Sequence, residues 1–387
     1  LKKIYKVLFL FLPVFIFIGC FLFRKLPAGM DSYFFMNYIY GITNTLPNTP
    51  FISSFIFSII PSNIFVIKLI MVFCILLTLF IFYKIINLFI KDNYLSNFIL
   101  LSFPFWILIL IRFEDDLLGL PLVFASIYYA LRYAISLKRV RVNYYNLFKE
   151  IKLFDKNIIL SMFFLLLAVF TWKFAVYMIP VIFLITFHPI CLLAVFSILP
   201  FTNKLIGGIL PNLKVSENMP FLGLLILALG FGYFKQFRIK ETWYALIFLS
   251  ILTIINYKFI FLCVPFLLIN NLKFYEVSNI EVKKIILVYF SIFFLISCAF
   301  NFTEMPNKNL DDLLDTGYSI SQNNNLEYNI NWGYGYYALF RGYDTTQFGH
   351  YQKYNKEGIV LTYLNDKNVL DCKEIKRNRN GVLVNCN

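Results

Sequence analysis

The chain has 387 residues, of which 60% are hydrophobic, 20% aromatic and 14% charged, with 47 Phe and a mean hydropathy of +0.72. A charged fraction so far below the roughly 25% of soluble domains excludes a soluble globular protein and indicates a polytopic membrane protein. The formal charge of +14 does not point to nucleic acid, because Lys and Arg sit in short clusters between apolar runs and form no separate basic domain.

The chain opens with "LKKIYKVLFLFLPVFIFIGCFLF", a basic start and an apolar core. That core is too long for a signal peptide and has no small-residue cleavage site, so an uncleaved signal-anchor is expected. About eleven apolar segments follow one another. They cover 7–23, 64–90, 95–111, 117–136, 158–170, 174–187, 190–201, 221–234, 243–256, 259–269 and 285–300. Several middle ones are short for a hydrocarbon core of roughly 30 Å, which leaves room for re-entrant or tilted pieces between "TWKFAVYMIP" and "FTNKLIGG". Alternate threading puts Lys2, Lys3 and Lys6, Lys84 and Lys91, the cluster from Lys138 to Lys156, Lys235 to Lys240, and Lys273, Lys283 and Lys284 on one side. The positive-inside rule makes that side cytoplasmic, with the loop 137–157 inside and everything after 300 outside. Arg24, Lys25, Lys204 and Lys214 fall on the other side.

Past the last apolar segment the composition changes to Asn, Asp, Gly and Tyr, beginning "NFTEMPNKNLDDLLDTGYSISQ". The reading is a membrane domain over 1–303 and a small extracytoplasmic α+β domain over 304–387, with β-like pieces at "GIVLTYL" and "NGVLVNC". Asn301-Phe302-Thr303 is an N-glycosylation sequon on the outer side. Cys20, Cys74, Cys191, Cys263 and Cys298 lie in apolar segments as small buried hydrophobes. Cys372 and Cys386 flank "KRNRNG"; a loop centred on Arg379 puts them opposite each other, whereas a two-residue turn at Asn380-Gly381 does not. No Cys/His metal spacing exists and His188 and His350 are isolated, which argues against zinc.

The acids carry the functional signal. Under the alternating topology the outward-facing acids of the membrane part are Asp31, the group Glu114, Asp115 and Asp116 in "IRFEDDLLGL", and Glu217 in "NLKVSENMPF". Carboxylates near the hydrocarbon cost several kcal/mol unless paired, hydrated or bound to a cation. Each alone is an ordinary solvated loop residue; together on one face of an acid-poor chain they indicate a site. Hard oxygen ligands of this kind suit Mg²⁺ or Mn²⁺.

Five stretches resemble the GT-C membrane glycosyltransferases, in particular the catalytic subunit of oligosaccharyltransferase, and occur in the same order. "GMDSYFFMNYI" looks like the family's first outer loop, "FEDDLLGLP" like its second acidic motif, and "KVSENMP" like its Ser-Val-Ser-Glu loop. "INYKFIFLCVPFLLI" resembles a late helix with a basic residue ahead of Pro, and "NWGYGYY" a degenerate Trp-Trp-Asp-Tyr-Gly motif. The resemblance implies a mainly α, GT-C-like bundle that moves a sugar or oligosaccharide from a polyprenyl-(pyro)phosphate donor to a protein, lipid or glycan acceptor. It implies metal or acceptor roles for Asp31, Glu114, Asp116 and Glu217, with Asp115 an alternative ligand. Lys258 would contact the donor phosphate as a point charge, and Trp332 and Tyr334 would form the acceptor-facing wall. Asn331 stands where the family has its first Trp, and Gly333 where it has the Asp that bonds the sequon hydroxyl. The expectation is therefore little preference for Thr or Ser two residues after the acceptor Asn, or a non-protein acceptor. The rivals are a polyprenyl-monophosphate-sugar transferase acting on a lipid or glycan and, from another class, a transporter or flippase. The latter predicts midplane charges and paired broken helices, which do not stand out. A structural subunit of a membrane complex would leave the outer acids unexplained.

Overall fold

The computed structural model describes residues 2–44, 46, 49–90, 94–139, 155–191, 240–255, 260–343, 345–348, 358–364, 366, 369 and 372–386. Among the described residues, four stretches are long and apolar enough to cross a bilayer: Ile4–Phe23, Ile64–Ile86, Asp115–Leu137 and Ile280–Asn324. They correspond to helices α1 (Lys2–Phe23), α4 (Ile64–Ile86), α7 (Asp115–Arg139) and α12 (Ile280–Thr303), the last continuing after a short break into a polar helix. Phe15, Phe73 and Leu295 are exposed on these helices, as expected of surfaces that face lipid.

Two of the other expected segments are broken into shorter pieces. The expected span 95–111 is broken into α5 (Ser96–Leu101) and α6 (Pro104–Leu110). Pro104 has no N–H to continue a helix from Leu100, but it suits the first turn of a new one. The region 32–59, expected as a loop, contains α2 (Ser32–Ile39) and α3 (Phe51–Ile59). The segment 174–187 consists of a 3-10 turn (Lys173–Tyr177) and α9 (Met178–Thr186), preceded by α8 (Lys156–Thr171) and followed by α10 (Lys240–Ile255) and α11 (Ile260–Val277). The expected segment 221–234, nearly all of 190–201, and residues 140–154 of the loop expected on the cytoplasmic side lie outside the described residues.

One end of the bundle is stitched together by the chain itself. Lys68 at the start of α4 donates to the carbonyls of Leu22 and Arg24. Arg24, 8% exposed, donates to Leu26 O at 2.6 Å and to Asn301 O and Pro306 O at 2.9 Å. Its positive charge, a minority on that side in the sequence, thus joins the end of α1 to the end of α12. Ser53 of α3 donates to the Thr171 carbonyl at the end of α8. At the far end Lys6 lies 5.7 Å from the Tyr94 ring and Lys283 lies 5.5 Å from that of Tyr275. Asn301 is fully buried in the last turn of α12, its amide donating to Ser297 O and Cys298 O. The sequon is therefore closed to modification in the folded chain.

Beyond α12 the polar α13 (Lys308–Asn324) covers a five-stranded mixed sheet of order β2-β1-β3-β5-β4. The strands are β1 (Tyr328–Asn331), β2 (Thr346–Phe348), β3 (Gly358–Thr362), β4 (Lys373–Asn378) and β5 (Gly381–Cys386). β1 pairs in parallel with both β2 and β3, and α14 (Trp332–Phe340) makes the crossover from β1 to β2. β5 is antiparallel to β3 and β4. The hairpin β4–β5 turns at Arg379-Asn380, pairing Asn378 with Gly381, and a register shift between Glu374 and Lys376 then pairs Lys373 with Asn385. That bulge brings Cys372 opposite Cys386, and the two form a disulfide with Cα atoms 4.5 Å apart.

Candidate functional site below the C-terminal domain

The loop that leaves α1 and the turn that enters α7 are clasped together. Ala28 pairs with Arg112 as an isolated parallel bridge, with Ala28 N–H donating to Ile111 O at 3.0 Å. Ser32 donates to the Ala28 carbonyl at 2.5 Å and accepts from Phe113 N–H at 2.9 Å. Asp31 and Glu114 are the next residues along each chain, so covalent geometry caps their Cα separation at roughly 15 Å. Gly29, at φ +78, makes this approach possible: a Cβ there would lie 2.8 Å from Cγ and Cδ of Arg112.

Arg112 is the hub of the site. It bonds Glu304, the residue that ends α12, at 3.0 Å, and it interacts through charge with Glu114 and Asp31. Burial works against its charge, but Glu114, Glu304 and Asp31 together outweigh burial and hold Arg112 above its usual range. Asp115 and Asp116, the first residues of α7, share a side-chain hydrogen bond, and Asp115 faces the charges of Glu114 and Lys173. Lys173 begins the 3-10 turn after α8, so three separate loops meet here.

The C-terminal domain forms the roof. Its helix α14 packs on α2 through Tyr33–Tyr337 at 4.7 Å and Phe34–Tyr336 at 5.2 Å between ring centroids, and Asn37 donates to Tyr336 O at 2.9 Å. Asp31 itself is exposed and makes no capping bond to α2. The phenols of Tyr336 and Tyr363 both lie in its field: burial first, and then the Asp31 charge, raise them above the usual tyrosine range.

The site residues expected from the sequence divide accordingly. Asp31, Glu114, Asp115 and Asp116 come from loops that adjoin, whereas Glu217 and Lys258 lie outside the described residues. Trp332 begins α14, where Asn331 is the N-cap, its amide oxygen accepting from Gly333 N–H at 3.2 Å. Tyr334 is 1% exposed and points into the domain, its hydroxyl donating to Asn380 O and its ring 4.8 Å from that of Tyr363. Among the described side chains of this run, the Tyr336 phenol is the one that lies in the field of Asp31. At Gly333 a Cβ would lie 1.9 Å from the Tyr363 hydroxyl, so that phenol occupies the side-chain position which glycine leaves empty.

Arg112, Lys173, Glu304, Tyr336 and Tyr363 received no role from the sequence. Arg112 had a legible signal, a cation two residues before Glu114 in an acidic run. Tyr336 lies in the aromatic run "NWGYGYY", whereas Lys173, Glu304 and Tyr363 come from distant segments with no local pattern. Among the described residues no three His, Cys, Asp or Glu side chains converge closely enough to hold a metal ion. Arg112 and Lys173 are the cations these acids face, so the described residues do not form a divalent site by themselves. No family model matches the chain, and neither a curated protein nor a solved structure matches it.

Proposed function

We propose that the chain is an integral-membrane glycosyltransferase of GT-C type, transferring a sugar or oligosaccharide from a polyprenyl-(pyro)phosphate donor on the extracytoplasmic side. The observation that carries this reading is the clasp between the Asp31 loop and the Arg112–Asp116 turn, roofed by the phenols of Tyr336 and Tyr363. The basic residues collected at the opposite end of the helices support a cytoplasmic placement of that end.

In this reading the donor phosphate lies between Arg112 and Lys173, whose charges meet the negative charge that grows as the bond from the anomeric carbon to phosphate oxygen breaks. The acceptor nucleophile bonds to the anomeric carbon and its proton passes to the exposed Asp31 carboxylate, with Tyr336 and Tyr363 orienting the acceptor. A Mg²⁺ or Mn²⁺ ion would need Glu217 or the donor phosphate to complete its ligands beside Asp31 and Glu114. Because the position opposite Gly333 is filled by a phenol and not a carboxylate, acceptor choice is expected to be indifferent to a hydroxyl two residues after the acceptor.

Membranes incubated with labelled polyprenyl-linked sugars test the reading, and transfer that disappears in Asp31→Asn is the expected result. Absence of any labelled product with mono- and pyrophosphate donors alike would overturn it in favour of a transporter or a structural subunit. Full transfer in EDTA would assign charge balance to Arg112 and Lys173 without a metal.

A further inference from the structure

A groove of about 360 Å³ opens on the side of the bundle between α4, α7 and α8, away from the clasped loops. Its walls are Leu77 and Ile81 of α4, Leu122 and Ala125 of α7, and Phe164 of α8, which stacks on Tyr129 at 5.7 Å with the rings 2° from parallel. The volume lies within the range of small-molecule sites, roughly 300–1,000 Å³. Phe80 and Phe163 are exposed beside it, so it opens onto a surface made for hydrocarbon. Its two ends differ in charge. The lower end carries Lys84, 5.3 Å from the Phe80 ring, and Tyr128, over whose ring Arg132 lies at 5.7 Å. Both cations are exposed, on neighbouring helices and at the end of the bundle where the basic residues gather. At the upper end Pro121 and Leu122 line the groove, and Asp115, the first residue of α7, stands seven residues before Leu122, about 10 Å further along the helix.

We propose that this groove binds an anionic phospholipid, with one acyl chain between α4, α7 and α8 and its phosphate between Lys84 and Arg132. An apolar groove with cations at one end, and with Lys84 as the one charged residue among those lining it, favours a chain with a negative head in one orientation. Basic pockets between membrane helices recognise anionic head groups by this charge complementarity. Retention of a polyprenyl phosphate seated here with its head at the upper end would not depend on Lys84 or Arg132. The inference is independent of the proposed enzymatic activity.

The test is the full chain reconstituted in vesicles of equal phosphatidylglycerol and phosphatidylcholine, extracted in mild detergent, with retained lipid measured by mass spectrometry. Phosphatidylglycerol should be enriched on the unmodified protein. Lys84→Gln with Arg132→Gln should lower that enrichment about thirtyfold, roughly fivefold for each cation. Lys283→Gln with Lys284→Gln removes the same charge at the same end, from a half-buried and an exposed position away from the groove, and should leave it intact. Equal loss in the two double variants, or no loss in the first, would overturn the site. Glycerol 3-phosphate should not displace the retained lipid; displacement would show that the head alone is held and the groove is not involved.

Discussion

Two groups of carboxylates in this chain have opposite fates. On α13, Asp311 accepts from the Tyr337 hydroxyl and from Arg341, both at 2.6 Å, while Asp312 accepts from Lys376 at 2.7 Å and Asp315 from Tyr343. These acids bind α13 to α14 and to β4, and their charges are met directly. Asp31 is exposed at the mouth of the clasp, with Arg112 engaged by Glu304 and only its field shared with Asp31. A carboxylate whose charge is met serves the fold; one left open beside phenols and a cation suits a reacting partner.

Substitution separates the two roles. Asp31→Asn should reduce transfer by about 10²–10⁴-fold, the range for loss of a general base. It should change stability by less than about 0.5 kcal/mol, because no bond of the fold is removed. A melting temperature lowered as far as that of an α13 variant would erase the distinction. Opening the Cys372–Cys386 disulfide comes next: Ser at both positions should lower the stability of the C-terminal domain by about 3 kcal/mol, as expected for a closed loop of this length. Denaturant unfolding of the two forms measures that difference, with transfer at low temperature expected to persist.

Asp311→Ala should cost about 2 kcal/mol, since it leaves the Tyr337 hydroxyl and Arg341 without their shared acceptor. Transfer per folded molecule should be retained, and its loss would place α13 in the site. The smallest effect is expected at the roof. Gly333→Ala should destabilise by about 1 kcal/mol by displacing the Tyr363 hydroxyl, and Tyr363→Phe should recover part of that in the double variant. Strict additivity would mean that the phenol does not occupy the space at Gly333.

Much of this architecture was legible because hydrophobic length is a local property. Long apolar runs gave α1, α4, α7 and α12, and the change of composition after them marked where the polar α13 and the sheet begin. The two β-like pieces became β3 and β5 for the same reason, since five buried positions in sequence need no distant partner to be recognised. The break at Pro104 was also written in the sequence, but it was overlooked because summed hydropathy ignores the missing N–H. Asn301-Phe302-Thr303 shows the converse: the triplet is local, while the burial of Asn301 depends on how α12 packs and on Arg24 reaching its carbonyl.

Composition and order along the chain determined that this is a membrane protein with a polar C-terminal unit and few acids between its apolar segments. Those properties depend on single residues or short windows. Tertiary structure alone decided that the Asp31 loop pairs with the turn before α7, that Glu304 from the far end of α12 meets Arg112, and that Tyr336 and Tyr363 face Asp31. It also decided that a one-residue bulge brings Cys372 opposite Cys386. Each of these joins residues between 14 and 332 positions apart, through contacts that form only when separate elements meet, and no periodicity within either partner encodes the other.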